Sequence, residues 1–254
     1  MIKTIISHED VKERRIFKKD GDKFLRVSEL YYNTIQGEGI NIGMPAAFLR
    51  LQGCPLTCAY CDTHQVWSHG SPYTYTELFN LIDKTDFVEK LKFGQHLVLT
   101  GGSPLYQQER LYEFLFMFKA IYRFKPYIEV ENECILRPEG ISHYIDCWNN
   151  SPKLSSSGVT FRRRYQPDII RQLSSYPNSW FKFVIESEAD WEEILEFFIL
   201  PSLIKREQII LMPKGATLEE LESNRLLVAE LAVKYNLRYS SREHIVLWNK
   251  KIGV

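Results

Sequence analysis

Apolar positions along this chain follow two rhythms. Short continuous runs, of the length a buried strand takes, occur at 46–51, 96–100, 127–133, 144–148, 180–186 and 208–212. Between several of them, apolar residues recur at helical spacing. Residues 74–91 read as one helix, with Thr76 as N-cap ahead of Leu78, Phe79, Leu81 and Ile82. Pro104 stands where a helix can begin, and Leu111, Phe114, Leu115, Phe118, Ile121 and Tyr122 form its core-facing stripe. Further helices are predicted over 190–198 and 218–235. Strands alternating with helices imply parallel pairing through right-handed crossovers. Polar or glycine residues follow the strands at Gly101-Gly102, Ser151-Pro152-Lys153 and Pro213-Lys214-Gly215, on the carboxyl edge where such folds build sites. Six strands are too few to close an eight-stranded barrel. The predicted fold is α/β, a partial, open TIM-like barrel of about six mostly parallel strands with flanking helices.

Residues 1–27 read as an N-terminal extension rich in charge, with a turn at Asp20-Gly21-Asp22, ahead of a barrel domain over 28–254. The extension has no uninterrupted apolar segment before a cleavage site, and no run in the chain reaches membrane-spanning length. Lys+Arg and Asp+Glu stand at 32 each, so no basic field points to nucleic acid. Five cysteines are too sparse for a disulfide framework. A cytoplasmic location, where thiols stay reduced, is expected. Cys134 and Cys147 fall in or near predicted strands and read as buried thiols, and Arg162-Arg163-Arg164 reads as a solvated loop.

The remaining cysteines change the picture. Cys54, Cys58 and Cys61 form a C-x3-C-x2-C motif directly after the first predicted strand. Iron–sulfur clusters are normally held by four cysteines, so three thiolates leave one iron of a [4Fe-4S] cube open to a small molecule. A zinc site would want a fourth Cys or His at finger-like spacing, and His64 does not stand at that spacing.

The stretches Thr34-Ile-Gln-Gly-Glu-Gly39, Phe48-Leu-Arg50, Gly53 to Thr63, Thr100-Gly-Gly-Ser-Pro104, Ser151-Pro-Lys153, His244 to Trp248, and Gly253-Val254 belong together. Jointly they resemble the radical S-adenosylmethionine (SAM) superfamily and, more narrowly, its 7-carboxy-7-deazaguanine synthase family. The resemblance runs from about Tyr31 to the end of the chain and leaves the extension unmatched. It implies a carbon–nitrogen lyase with three cofactors: a [4Fe-4S] cluster on Cys54, Cys58 and Cys61, SAM, and Mg2+. The implied reaction converts 6-carboxy-5,6,7,8-tetrahydropterin to 7-carboxy-7-deazaguanine with loss of ammonia. A 5′-deoxyadenosyl radical takes the hydrogen at C6, the ring contracts, and SAM is regenerated. The product feeds 7-deazapurine biosynthesis of the queuosine type.

The resemblance also assigns residues. Thr63 is the Mg2+ ligand, in keeping with that ion's preference for oxygen. SAM is expected against Tyr60, Asp62, Gly102, Ser103, Ser151, Lys153, Met212 and Pro213. The pterin is expected against Ile35, Gln36, Gly37, Arg50, Thr100, Glu129, His244 and Val254. Arg50 suits a bidentate grip on its carboxylate. Glu129 and Glu131 flank Val130 on one strand, and only one of them is expected at the site. Two stretches depart from the family. It usually carries glutamate where Ser103 stands, a carboxylate that would neutralise the SAM amino group. Its Glu-Thr-Asn-Gly-Thr strand appears here as Glu129-Val-Glu-Asn-Glu133. A flavodoxin or ferredoxin as electron donor and a homodimer are expected by the same likeness, with neither nucleic acid nor membrane as partner. The alternative readings are a radical SAM activase that makes a glycyl radical on a partner protein, and a zinc-binding protein without activity.

Overall fold

The computed structural model describes residues 1–13 and 23–254. Its strands are β1 (Lys3–Ile6), β2 (Phe24–Ile35), β3 (Pro45–Leu51), β4 (Ser71–Thr74), β5 (His96–Gly101), β6 (Ile128–Asn132), β7 (Cys147–Asn150), β8 (Ser179–Ile185), β9 (Ile209–Pro213) and β10 (Arg238–Tyr239). They form one sheet in the order β1-β2-β3-β5-β6-β7-β8-β9-β10, with β4 paired to β2. From β3 to β10 every pairing is parallel. The six expected strands are β3, β5, β6, β7, β8 and β9, and β1 and β10 do not pair with each other, so the barrel is open.

Central strands of a parallel sheet are covered on both faces and read as continuous apolar runs. The first five residues of β5, and every residue of β7 and β9, are buried. Helix Gln108–Tyr122 buries Leu111, Phe114, Leu115 and Phe118 in the core. Ile121 of the predicted stripe is half exposed, and Arg123 ends the helix in the left-handed conformation.

Five local features differ from the sequence reading. The single helix expected over 74–91 is two, Tyr75–Ile82 and Phe87–Lys92. The cap of the first is Thr74, not Thr76. Its side chain accepts from the backbone N–H of Glu77, and Glu77 bonds back to the Thr74 N–H, a reciprocal box that starts the helix two residues earlier. The strand expected at 144–148 begins at Cys147, because 140–144 form a 3-10 turn. The twelve-residue β2 pairs antiparallel with β1, β3 and β4, and it runs across the boundary expected at residue 27. Arg164 is buried and ion-paired to Glu193 rather than solvated. The turn expected at Asp20-Gly21-Asp22 lies outside the described residues. Cys134 and Cys147 are fully buried. Among the described residues no helix is long and apolar enough to cross a membrane.

Candidate active site

The carboxyl ends of the parallel strands converge on a cavity of about 730 Å³, within the size range of small-molecule sites. The loop after β3 delivers Cys54, Cys58 and Cys61 to its wall. All three thiols are unbridged, and neither Cys134 nor Cys147 lines the cavity. Burial pushes the Cys54 thiol up to about 12 and raises Cys58 as well, so it is a bound metal that would make these groups thiolates. Two N–H groups already point at sulfur. Trp67 Nε1 donates to Cys61 Sγ at 3.3 Å, and the Leu56 amide donates to Cys54 Sγ at 3.4 Å. Three adjacent thiols, two of them with an N–H donor on sulfur, fit a [4Fe-4S] cluster with one iron lacking a protein ligand.

Gly102 lies where β5 meets the cysteine loop. A Cβ there would sit 2.4 Å from the Gly53 carbonyl oxygen and 2.5 Å from Cys54 Cβ, so a side chain at 102 would push the loop off the strand end. Tyr60, Ser151, Lys153 and Met212 line the cavity around that loop. The Lys153 ammonium donates to the Ser151 hydroxyl at 2.8 Å, and the Lys214 ammonium lies 5.5 Å from the Tyr60 ring centroid. Thr63 also lines the cavity and stands at the N-terminus of the short helix His64–Trp67.

A chain of buried ions also lines the cavity. Thr100 donates to Glu131 at 2.8 Å, and Lys182 bridges Glu131 at 3.0 Å and Glu38 at 2.6 Å. Arg242 bonds Glu38 at 2.9 Å and also pairs with Asp62. Burial alone would raise the Glu38 carboxyl, but Lys182 and Arg242 outweigh it and hold the group well below its ordinary value. Asp62 is likewise lowered, with Arg242 overcoming burial. Burial lowers His244, which is therefore the neutral imidazole at pH 7. Its ring takes the space over Gly37, where a Cβ would meet His244 Nδ1 at 2.3 Å.

Arg50 and Thr100 are register partners on β3 and β5. Arg50 lines the cavity while its Nε donates to Glu29 at 2.9 Å. That bond leaves the terminal nitrogens of the fork to meet a ligand. Tyr31, stacked on Phe48 at 5.2 Å, forms the adjoining wall.

Ile35, Gln36, Asp62 and Val254 also stand on the cavity wall. Three expected residues do not. Glu129 lies on the same inner face as Glu131, as a two-residue offset on a strand requires, but one layer deeper. There it is fully buried and meets His96, Asn149 and Gln36, so Glu131 is the glutamate that lines the cavity. Pro213 is buried in the β8–β9 ladder. Ser103 is buried behind the wall, where its hydroxyl donates to Glu133 at 2.9 Å. Sequence reasoning missed Glu29, Glu38, Lys182 and Arg242 as site residues. Of these, only Glu38 had a signal, standing within the Gln36-Gly-Glu38 motif.

Comparison with known proteins agrees with this geometry. The family described as a 4Fe-4S single cluster domain matches residues 35–130. A 7-carboxy-7-deazaguanine synthase of Pyrobaculum aerophilum is 34% identical over 234 residues, spanning 90% of this chain and 97% of that protein. One from Halobacterium salinarum is 29% identical, spanning 89% and 91%. The crystal structure of QueE from Escherichia coli superposes with a TM-score of 0.65 at 21% identity, covering 88% of this chain and 96% of that one.

Proposed function

The chain belongs to the 7-carboxy-7-deazaguanine synthase family, and on that premise we propose that it converts 6-carboxy-5,6,7,8-tetrahydropterin to 7-carboxy-7-deazaguanine. When bound, the reduced cluster and SAM supply one-electron cleavage of a carbon–sulfur bond and hence hydrogen abstraction. The observation that carries the reading is one cavity lined both by three free thiols and by the cations Arg50, Lys182 and Arg242.

In this reading Cys54, Cys58 and Cys61 hold three irons. Gly102 keeps the loop against β5, and Tyr60, Ser151, Lys153 and Met212 border SAM. Arg50, with its Nε anchored on Glu29, grips the pterin carboxylate with the rest of its fork. Gln36, Thr100 and Glu131 meet the edge of the heterocycle. Neutral His244 offers one donor and one acceptor without adding charge. Thr63 would hold Mg2+, which would supply charge neutralisation for the substrate carboxylate; the threonine's place beside Cys61 and Asp62 on the cavity wall supports this role. Ligand atoms of Glu38, Asp62 and His244 also lie within 4.8 Å of one another, but Arg242 and Lys182 already pair with those carboxylates, so Thr63 is the better cation ligand. Lyase chemistry, a flavodoxin or ferredoxin donor, a homodimer and a cytoplasmic location belong to the same reading.

The test is anaerobic reconstitution with iron and sulfide, followed by reductant, SAM, Mg2+ and the carboxytetrahydropterin. Mass spectrometry should detect the deazaguanine product. SAM cleavage without that product would refute the substrate, and a colourless zinc protein would refute the reaction class.

A further inference from the structure

One buried carboxylate in the cavity keeps an oxygen without a hydrogen-bond partner. Glu133 follows the end of β6, is 4% exposed, and lines the cavity with Cys54, Cys58, Gly102 and Lys153. Its Oε1 accepts from the Ser103 hydroxyl at 2.9 Å, while Oε2 is buried with no partner. Its backbone is fixed on both sides. Cys134 turns in the left-handed conformation with its amide on Asn132 Oδ1, and the Ser151 amide bonds the Asn132 carbonyl. The other inner-wall carboxylates, Glu38, Asp62 and Glu131, are each ion-paired. No cation pairs with Glu133 among the described residues, and the nearby Lys153 gives its ammonium to Ser151.

A buried carboxylate left without a partner costs several kcal/mol. Burial accordingly pushes Glu133 up to about 7, so the free protein holds it partly protonated at neutral pH. The cost falls when a ligand brings N–H donors to Oε2. Ser103, which holds Oε1, also donates its backbone N–H to the Gly53 carbonyl at 2.8 Å, so Glu133 lies beside the loop that carries the cluster. We propose that Glu133 Oε2 accepts from the amino group of the bound SAM, with Ser103 holding its other oxygen in place. This rests on the function proposed above.

The test measures SAM binding rather than turnover. Cluster-loaded wild type, Glu133→Gln and Glu133→Gln/Ser103→Glu are compared by anaerobic equilibrium dialysis against SAM and against 5′-methylthioadenosine, which lacks the amino-acid portion. Glu133→Gln should raise the Kd for SAM by about 30-fold or more and leave that for methylthioadenosine unchanged. The double variant, with its carboxylate returned from the β5 side, should recover part of the loss. The SAM-induced change in the EPR signal of the reduced cluster should follow the same order. If Glu133→Gln fails to load cluster, Ser103→Ala serves in its place, with an expected loss of about 3-fold or more for SAM alone. SAM affinity unchanged in these variants, or lost equally with that for methylthioadenosine, would overturn the assignment. Wild-type protein that loads cluster but binds no SAM would overturn the proposed function with it.

Discussion

Replacing Arg242 by Met removes one guanidinium and exposes how the ionic wall is balanced. Arg242 lies 2.9 Å from Glu38, a contact worth about 6 kcal/mol at an effective dielectric constant of about 20, before desolvation is subtracted. The loss is not shared equally. Glu38 keeps Lys182 at 2.6 Å, whereas Asp62 keeps no ion-pair partner among the described residues. Breaking one side of a buried pair costs about 3–5 kcal/mol. The low end applies, because the Asp62 side chain is 24% exposed and water reaches it. About 3 kcal/mol corresponds to a Tm lowered by about 6–12 °C for a chain of this size. Thermal unfolding of cluster-loaded protein, followed anaerobically by near-ultraviolet circular dichroism, measures it. The sign with pH is also determined. In the wild type Glu38 and Asp62 titrate below their unfolded values, so their contribution is present above the ordinary carboxylate range and lost as pH falls through the folded values. In the variant Asp62 keeps its burial without Arg242, so its carboxyl moves up. The deficit against wild type should then be largest near pH 8 and shrink towards pH 5. Asp62→Asn in the same background should recover most of it. A Tm unchanged by Arg242→Met, or a deficit that Asp62→Asn does not relieve, would refute the account.

Four further outcomes follow from the site. Trp67→Phe removes the N–H bond to Cys61 Sγ and should shift the cluster midpoint potential negative in spectroelectrochemistry, with cluster content unchanged. Gly37→Ala places a Cβ against the His244 ring and should destabilise the protein by about 1–3 kcal/mol in denaturant unfolding. Arg50→Lys keeps the charge but loses the fork, and should lower kcat/KM for the pterin by about 10-fold or more in product assays. Thr63→Ala should raise the Mg2+ concentration needed for half-maximal activity while leaving the cluster absorbance intact, and loss of the cluster would contradict the assigned role.

Legibility of the site in the sequence depended on how far apart the partners lie. The cysteine motif spans eight residues, so its chemistry was readable from spacing. The helix cap at Thr74 was equally local, in the Thr74-x-x-Glu77 pattern, and its misplacement to Thr76 reflects a neglected signal. The choice between Glu129 and Glu131 was different. Alternation puts both on the inner face, and what separates them is depth relative to the strand ends where the loops meet, which a single strand does not encode.

By itself the sequence determined the alternation of strands and helices, the six parallel strands, and the open three-cysteine loop at the carboxyl edge. All of these follow from periodicity and short spacing. Only the tertiary structure decided how the site's charges are balanced. Lys182 meets Glu38 across 144 residues, Arg242 meets Glu38 across 204, and Arg242 meets Asp62 across 180. Such pairs leave no local pattern, because each exists only where the barrel brings distant strand ends to one wall. The same folding set Glu133 next to Ser103, turning an apparent gap in the motif into a carboxylate held from the neighbouring strand.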